Sequence, residues 1–496
     1  MTNSGHRLSA VASALVGALA LAACGGGNGS GAGGAVPDTA DLAPSSAAFY
    51  VSVESDPDGE QWQQAQDLLR RFPSGDRLLA DVRESLGDEE LDYEQDIKPA
   101  LGPEVGVVGL TLEGERFAFY TKPPNRAKLE ALLREGDDPV VFRELDGWTV
   151  AAETEEDLDA FDEARARGVL ADDETFADSL DATSGDAGAV VWVRGEAIQD
   201  AVEEGLIEEG APSGLTEDLG VTRGFLSVAS AEDEGVRTET VLAREKRPEL
   251  DLYRPKLDEQ LPAEPLLFVS VANLDEAGRA GLDLARKSIP DFSSQLAQGE
   301  AALGFSLEDD VLPLLAGEAA LVLYDEPSAG LPVTVDYVLD VGDEEEKARR
   351  LMERVVALVE LGEVGTGNKV TIDGFEGNEI HFMSEDISIF WAVYDGTLAI
   401  TSSRDALAAL RDDTPRLADD QAYGDALDAA DVPDEVVALT YLNLPTATPL
   451  LLDQIEKDGT EITSEVRGNL QALRSTVSYA TTEDVGIRLS GFVGIG

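Results

Sequence analysis

The chain repeats itself, and that repetition limits what it can fold into more than any other feature. The stretch carrying Leu170, Asp172, Asp173, Phe176, Leu180 and Asp181 is answered far downstream by Leu417, Asp419, Asp420, Tyr423, Leu427 and Asp428, each in the matching place. Other pairs keep the same order. Ala47–Val53 matches Leu266–Val271, and the run Asp96 to Glu104 matches Asp310 to Glu318. The dipeptide Asp146-Gly147 matches Asp395-Gly396, and Glu232 to Arg237 matches Glu483 to Arg488. A colinear series of this kind is what a duplicated folding unit leaves behind, so each copy must bury the same pattern in the same way. The spacing between partners widens along the chain. The second copy therefore holds about 30 additional residues between Glu318 and Asp395, where Val333–Leu339 and Gly362–Ser384 are the two candidate insertions.

Within a copy, Ala47–Val53 reads as a strand. After it Trp62, Ala65, Leu68, Leu69 and Phe72 recur at helical steps. Asp-Gly between apolar runs marks a hairpin, because the favoured two-residue turn needs positive φ. Thr154 and Ser403 stand as N-caps before helices carrying Leu158 and Phe161 or Leu407 and Leu410. Hairpins outnumber β-α-β crossovers. The predicted class is therefore α+β, with two tandem homologous lobes, each a mainly antiparallel sheet with helices packed on one face. The predicted boundaries are 1–23 for a signal peptide, 24–44 for a tether, 45–245 for the first lobe and 246–263 for a proline-containing linker. The second lobe spans 264–496, with its insertion within about 319–394.

Leu8 to Ala23 is apolar, follows His6 and Arg7, and ends in small residues, which is the plan of a secretory signal. It is too short to span a bilayer, which takes about 20 apolar residues. Cys24 directly follows Leu21, Ala22 and Ala23. This is the lipobox order, and Cys24 is the single cysteine of the 496 residues. The expectation is cleavage before Cys24, lipid on its sulfur, and a Gly/Ser-rich tether from Gly25 onward. Two or more acyl chains hold a protein firmly where one is marginal. The expected location is extracytoplasmic, on the outer face of the cytoplasmic membrane.

Ninety-nine Asp and Glu against 37 Lys and Arg give a formal charge of −62. Such a field repels phosphate backbones and anionic headgroups, so nucleic acid is a poor partner and contact with the membrane falls to the lipid on Cys24. A solvated acidic surface accounts for the charge; the alternative is a surface for cations or a cationic envelope partner. With Cys24 lipidated, no thiol remains for a disulfide, a metal or nucleophilic catalysis.

Motifs that approach chemistry stop short of it. His6 leaves with the signal, so His-rich metal sites are excluded by counting, and His381, in a strand-like run, is expected to be a solvent-facing or satisfied strand histidine rather than a catalytic one. Gly362 to Lys369 approaches a phosphate-binding loop, but Asn368 stands where the Lys belongs and Val370-Thr371-Ile372 reads as a strand; a loop between strands is expected. Glu54, Asp56, Asp58 and Gly59 mimic the start of a calcium loop whose twelfth position is Ala65, so turn chemistry is the expectation. Asp172, Asp173, Asp419 and Asp420 are placed to cap helices rather than to bind metal. No catalytic, metal-binding or cofactor-binding residues are assigned, and no cofactor is expected.

The lipobox, the Gly/Ser tether, the opening Leu42-Ala43-Pro44-Ser45-Ser46-Ala47-Ala48-Phe49-Tyr50, the Asp56-Pro57-Asp58-Gly59 turn and the helix ending near Arg71-Phe72-Pro73 resemble bacterial, chiefly actinobacterial, lipoproteins grouped as domain of unknown function 3352. That resemblance implies a lipid anchor and assigns no activity. The expected function is a non-enzymatic, lipid-anchored protein that binds or organises a component of the cell envelope. A carrier of an apolar ligand and a carboxylate-dependent hydrolase of envelope polymers are the alternatives.

Overall fold

The computed structural model describes residues 35–56, 58–77, 95, 97–112, 116–134, 139–185, 187–200, 221–246, 250–289, 291–328, 331–372, 374–383 and 387–496. Leu21, Ala22, Ala23 and Cys24, with the signal and the Gly-rich stretch, lie outside them. The chain is mixed helix and sheet, and its strand pairings are antiparallel. It divides into two compact units. The first comprises Met1–Pro248, Thr463–Leu473 and Thr482–Gly496, and the second Glu249–Ile462 and Arg474–Thr481.

In the first unit the strands are β1 (Phe49–Glu54), β2 (Glu104–Gly109), β3 (Phe117–Thr121), β4 (Val141–Leu145), β5 (Trp148–Ala152), β6 (Ala189–Arg194), β7 (Thr222–Glu232) and β8 (Gly235–Arg244). They lie in the order β4-β5-β3-β2-β1-β6-β7-β8. The β4–β5 turn is the expected one, with Asp146 at φ 51° and Gly147 at φ 85°. Helices α1 (Glu60–Leu69), α2 (Arg126–Arg134), α3 (Glu155–Arg165) and α4 (Glu174–Asp181) pack on this sheet. Leu158 and Phe161 of α3 and Phe176 and Leu180 of α4 cover one face, over Tyr50, Val108, Tyr120, Val150 and Trp192. Leu129 and Leu133 of α2 cover the other, over Val53, Val105, Val107, Phe119 and Ala151. The expectation of helices on one face is thus corrected. β3 and β5 are buried at every residue, so their apolar runs do not alternate, and a strand apolar on both sides needs cover on both. Each large side chain so buried contributes about 1.5–3 kcal/mol.

A second correction concerns the segment 37–44, expected to belong to the tether. Asp38–Asp41 forms a 3-10 turn, and Thr39, Ala40, Leu42 and Ala43 are buried. The Ala43 carbonyl accepts the Leu170 N–H (2.8 Å), the Ser45 N–H donates to the Gly168 carbonyl (2.9 Å), and Pro44 lies opposite Val169. The small apolar residues after Pro37 separate this stretch from the Gly/Ser run and give it something to bury.

The second unit contains β9 (Leu267–Val271), β10 (Ala319–Tyr324), β11 (Thr334–Asp340), β12 (Gly365–Ile372), β13 (Phe375–Phe382), β14 (Ile387–Tyr394), β15 (Thr397–Thr401), β16 (Ala438–Asn443) and the Arg474–Thr481 part of β17 (Leu473–Thr482). Their order is β12-β13-β14-β15-β11-β10-β9-β16-β17. Its helices are α5 (Leu274–Ser288), α6 (Phe292–Leu303), α7 (Glu345–Leu361), α8 (Arg404–Ala409), α9 (Gln421–Ala429) and α10 (Leu444–Lys457). Ala348 and Met352 of α7 pack on Ile380, Trp391, Val393 and Leu398. The expected linker 246–263 is built into this unit from Tyr253 onward. Tyr253 and Val436 exchange backbone hydrogen bonds, the Leu261 carbonyl accepts the Leu417 N–H (2.9 Å), and Leu257 and Leu261 are buried. Its prolines interrupt a ladder without preventing packing.

The chain then returns to the first unit through α11 (Ser464–Leu470) and β18 (Gly486–Ile495), and β18 pairs with β8. Ile495 joins Leu68, Ala231 and Val236 in a small core there. Among the described residues no helix is long and apolar enough to cross a membrane.

Candidate functional site

Of the four acids expected to cap helices, Asp173 and Asp420 do so, while Asp172 and Asp419 end the short 3-10 turns just before them. Asp173 Oδ1 accepts the N–H groups of Thr175 (3.0 Å) and Phe176 (3.1 Å), and Asp420 Oδ1 accepts those of Ala422 (2.8 Å) and Tyr423 (3.2 Å). Asp56 closes its own turn by accepting the Asp58 N–H (3.0 Å), while Asp58 pairs with Lys98 (3.0 Å). Gly362 to Lys369 is not a loop between strands. It is the C-terminus of α7 running into β12, and the Gly367 N–H donates to Glu360 Oε1 (3.0 Å). A helix C-terminus presents carbonyls, which oppose an anion. His381, half-buried on β13, faces Ser388 on β14 with Nδ1 3.2 Å from Oγ, and that hydroxyl donates to Glu379 Oε1 (2.7 Å). Ser388 is thereby tied to a carboxylate directly rather than through the imidazole, which is not the order that activates a hydroxyl.

Two carboxylates missed in the sequence pin the segments that precede the sheets. Glu104, at the start of β2, accepts Ser52 Oγ (2.5 Å), the Thr39 N–H (3.2 Å) and the Thr39 hydroxyl, while Tyr120 Oη donates to the Thr39 carbonyl (3.1 Å). Glu318, beside β10, accepts Ser270 Oγ (2.6 Å) and the N–H groups of Lys256 (2.8 Å) and Leu257 (3.0 Å). Burial raises the Glu318 carboxyl above its ordinary range, and those three donors work against the rise.

The third, Asp336, has no such donors. It sits in β11 between Val322 and Thr401, is fully buried, and neither carboxylate oxygen has a hydrogen-bond partner. Its neighbour Tyr337 is half-exposed, so the strand turns its acid inward and its aromatic outward. Burial pushes the Asp336 carboxyl up to about 7, and the negative charge of Glu326 adds to the rise. Tyr324 and Tyr394 also feel this carboxylate. Burial is the main cause of the rise in both phenols, to about 12 for Tyr394, where Arg411 and Arg416 act in the opposite direction. An ionised carboxylate without a partner is costly in such a place, so the group holds a proton until the pH approaches neutrality. The inverted alternation of Val335, Asp336 and Tyr337 was the one signal that the sequence carried. No group of three or more His, Asp, Glu or Cys is placed to hold a metal ion among the described residues.

No curated protein and no solved structure matches the chain. A family model does, over residues 8–139 and 147–360, which together make up more than half of the sequence. The chain belongs to the family described as protein of unknown function DUF3352.

Proposed function

We propose that this chain is a lipoprotein of the cell envelope, cut before Cys24 and held by lipid on that sulfur at the outer face of the cytoplasmic membrane. Its folded part binds or organises an envelope component without chemistry of its own. The observation that carries the reading is the lone cysteine, set directly behind Leu21-Ala22-Ala23 at the end of an apolar run and in front of a Gly-rich stretch. With that sulfur acylated, the mature sequence has no thiol nucleophile, and His381 is its single imidazole for acid–base work.

Two tandem homologous lobes complete the reading, and several matched contacts support it. Pro44 lies opposite Val169 as Pro262 lies opposite Arg416. Ser52 meets Glu104 as Ser270 meets Glu318. Tyr50, Phe176 and Trp192 stack edge to face, and so do Phe268, Tyr423 and Tyr441. On this alignment β11 answers to β3, and the additional residues of the second copy are the β12–β13 hairpin.

The test is Cys24→Ser together with the signal peptidase inhibitor globomycin. The unaltered chain should take up labelled fatty acid and sediment with membranes until detergent is added. The substituted or inhibited chain should accumulate unprocessed and unlabelled. Unchanged processing and labelling would end the proposal.

A further inference from the structure

β18 lies against β8 in a register with an unusual property. Ser490 stands opposite Glu239, Phe492 opposite Arg237 and Arg488 opposite Val241. In the repeat, Glu232 and Arg237 match Glu483 and Arg488, so β18 is the counterpart of the strand that it covers, and Ser490 is the counterpart of Glu239. The strand pair is therefore centred on equivalent residues, as two copies of one strand are when they meet about a two-fold axis. The side-chain contacts follow the same symmetry. Arg237 binds Glu232, with Nη2 2.9 Å from Oε2, and Arg488 Nε binds Glu483 Oε1 at 3.1 Å.

At the centre the symmetry is broken. Glu239 is buried, and its Oε1 accepts Arg488 (3.1 Å) and Ser490 Oγ (3.4 Å) from β18, while its Oε2 accepts the N–H (2.6 Å) and the hydroxyl (2.7 Å) of Ser184. A second β8 in place of β18 would set Glu239 against another Glu239, two carboxylates facing each other in a closed position, which is strongly unfavourable. A strand with Ser at that place and Arg two residues before it supplies donors instead.

We infer that the β8 edge is keyed to β18 of the same chain, and that Glu239 is the residue that selects β18 over a second β8. The inference rests on the duplication reading, not on the anchor. The edge is also the place where an open ladder would otherwise recruit strands at random.

Ser490→Glu in the full chain places two carboxylates at the centre and should release β18. Amide exchange should then lose protection at 486–495 and at the β8 amides that face β18, while those bonded to β7 keep theirs. A labelled peptide of residues 484–496 should bind the opened edge at least about tenfold more tightly than the same peptide carrying Ser490→Glu, and a peptide of residues 235–244 should not bind. The double change Glu239→Ser with Ser490→Glu should restore protection, because the carboxylate is then carried by β18 and Arg237 stands to it as Arg488 stands to Glu239 in the parent. It also serves as the control if the single variant fails to fold. Equal binding of the 235–244 peptide, or full protection in the Ser490→Glu chain, would overturn the inference. Peptide discrimination without rescue by the double change would support the selecting role of Glu239 and count against the duplication.

Discussion

At the scale of single residues, Asp336 makes the sharpest claim. Its native-state carboxyl titrates near 7 against an ordinary 3.8, so between those values the folded chain holds a proton that the unfolded chain has lost. Stability from this group is therefore full below about 4 and falls as the pH rises through 7. Asp336→Asn keeps the shape and removes the charge. It should flatten this dependence and stabilise the chain at pH 8 relative to the parent by about 2–4 kcal/mol, and at pH 5 by roughly a third of that, as read from urea unfolding at both values. A parent chain equally stable at both would show that the carboxyl finds a partner in solution. Residues acting on their own backbone, such as the caps Asp173 and Asp420, were legible in the sequence because everything they need lies within three residues. Asp336, Glu104, Glu239 and Glu318 were not. Each draws its meaning from strands brought together from distant parts of the chain.

At the scale of elements, the mixture of helices and antiparallel strands could be read from periodicity and turns, while the second covered face could not. A run such as Phe117-Ala118-Phe119-Tyr120 looks the same whether one helix or two will cover it. The 3-10 turns at Asp38–Asp41 and Leu257–Glu259 were also missed, since short polar-apolar mixtures read as linker until a carboxylate from a distant strand is found to hold them. β12 shows how an edge is managed. No strand pairs with its outer side among the described residues, and Glu360 accepts the Gly367 N–H while the Arg404 guanidinium donates to the Thr371 carbonyl. These side chains occupy groups that would otherwise template another strand. Glu360→Ala should leave the fold intact and raise the rate of self-association on mild heating, measured by light scattering; an unchanged rate would remove Glu360 from this role.

For the whole molecule, charge dominates. A formal −62 means that like charges repel throughout the native state, and salt should relieve that repulsion. Raising NaCl from about 0.05 to about 1 M should increase the melting temperature by several degrees, smoothly and without saturation, as screening does. If calcium or magnesium at equal ionic strength gave a larger, saturating rise, a cation-binding surface would replace the solvated one. The family assignment could be anticipated from the sequence. The division of the chain could not, because the register of β18 on β8 is written in no local pattern.

That last strand also sets a timetable. A unit whose described residues start at 35 and that carries Gly486–Ile495 on its edge cannot close while those residues are still in the ribosome. Its earlier strands must wait, half assembled, until those residues have been made. A chain cut short by a premature stop or a protease would carry an open ladder at β8, a mark by which quality-control proteases can tell unfinished copies from finished ones.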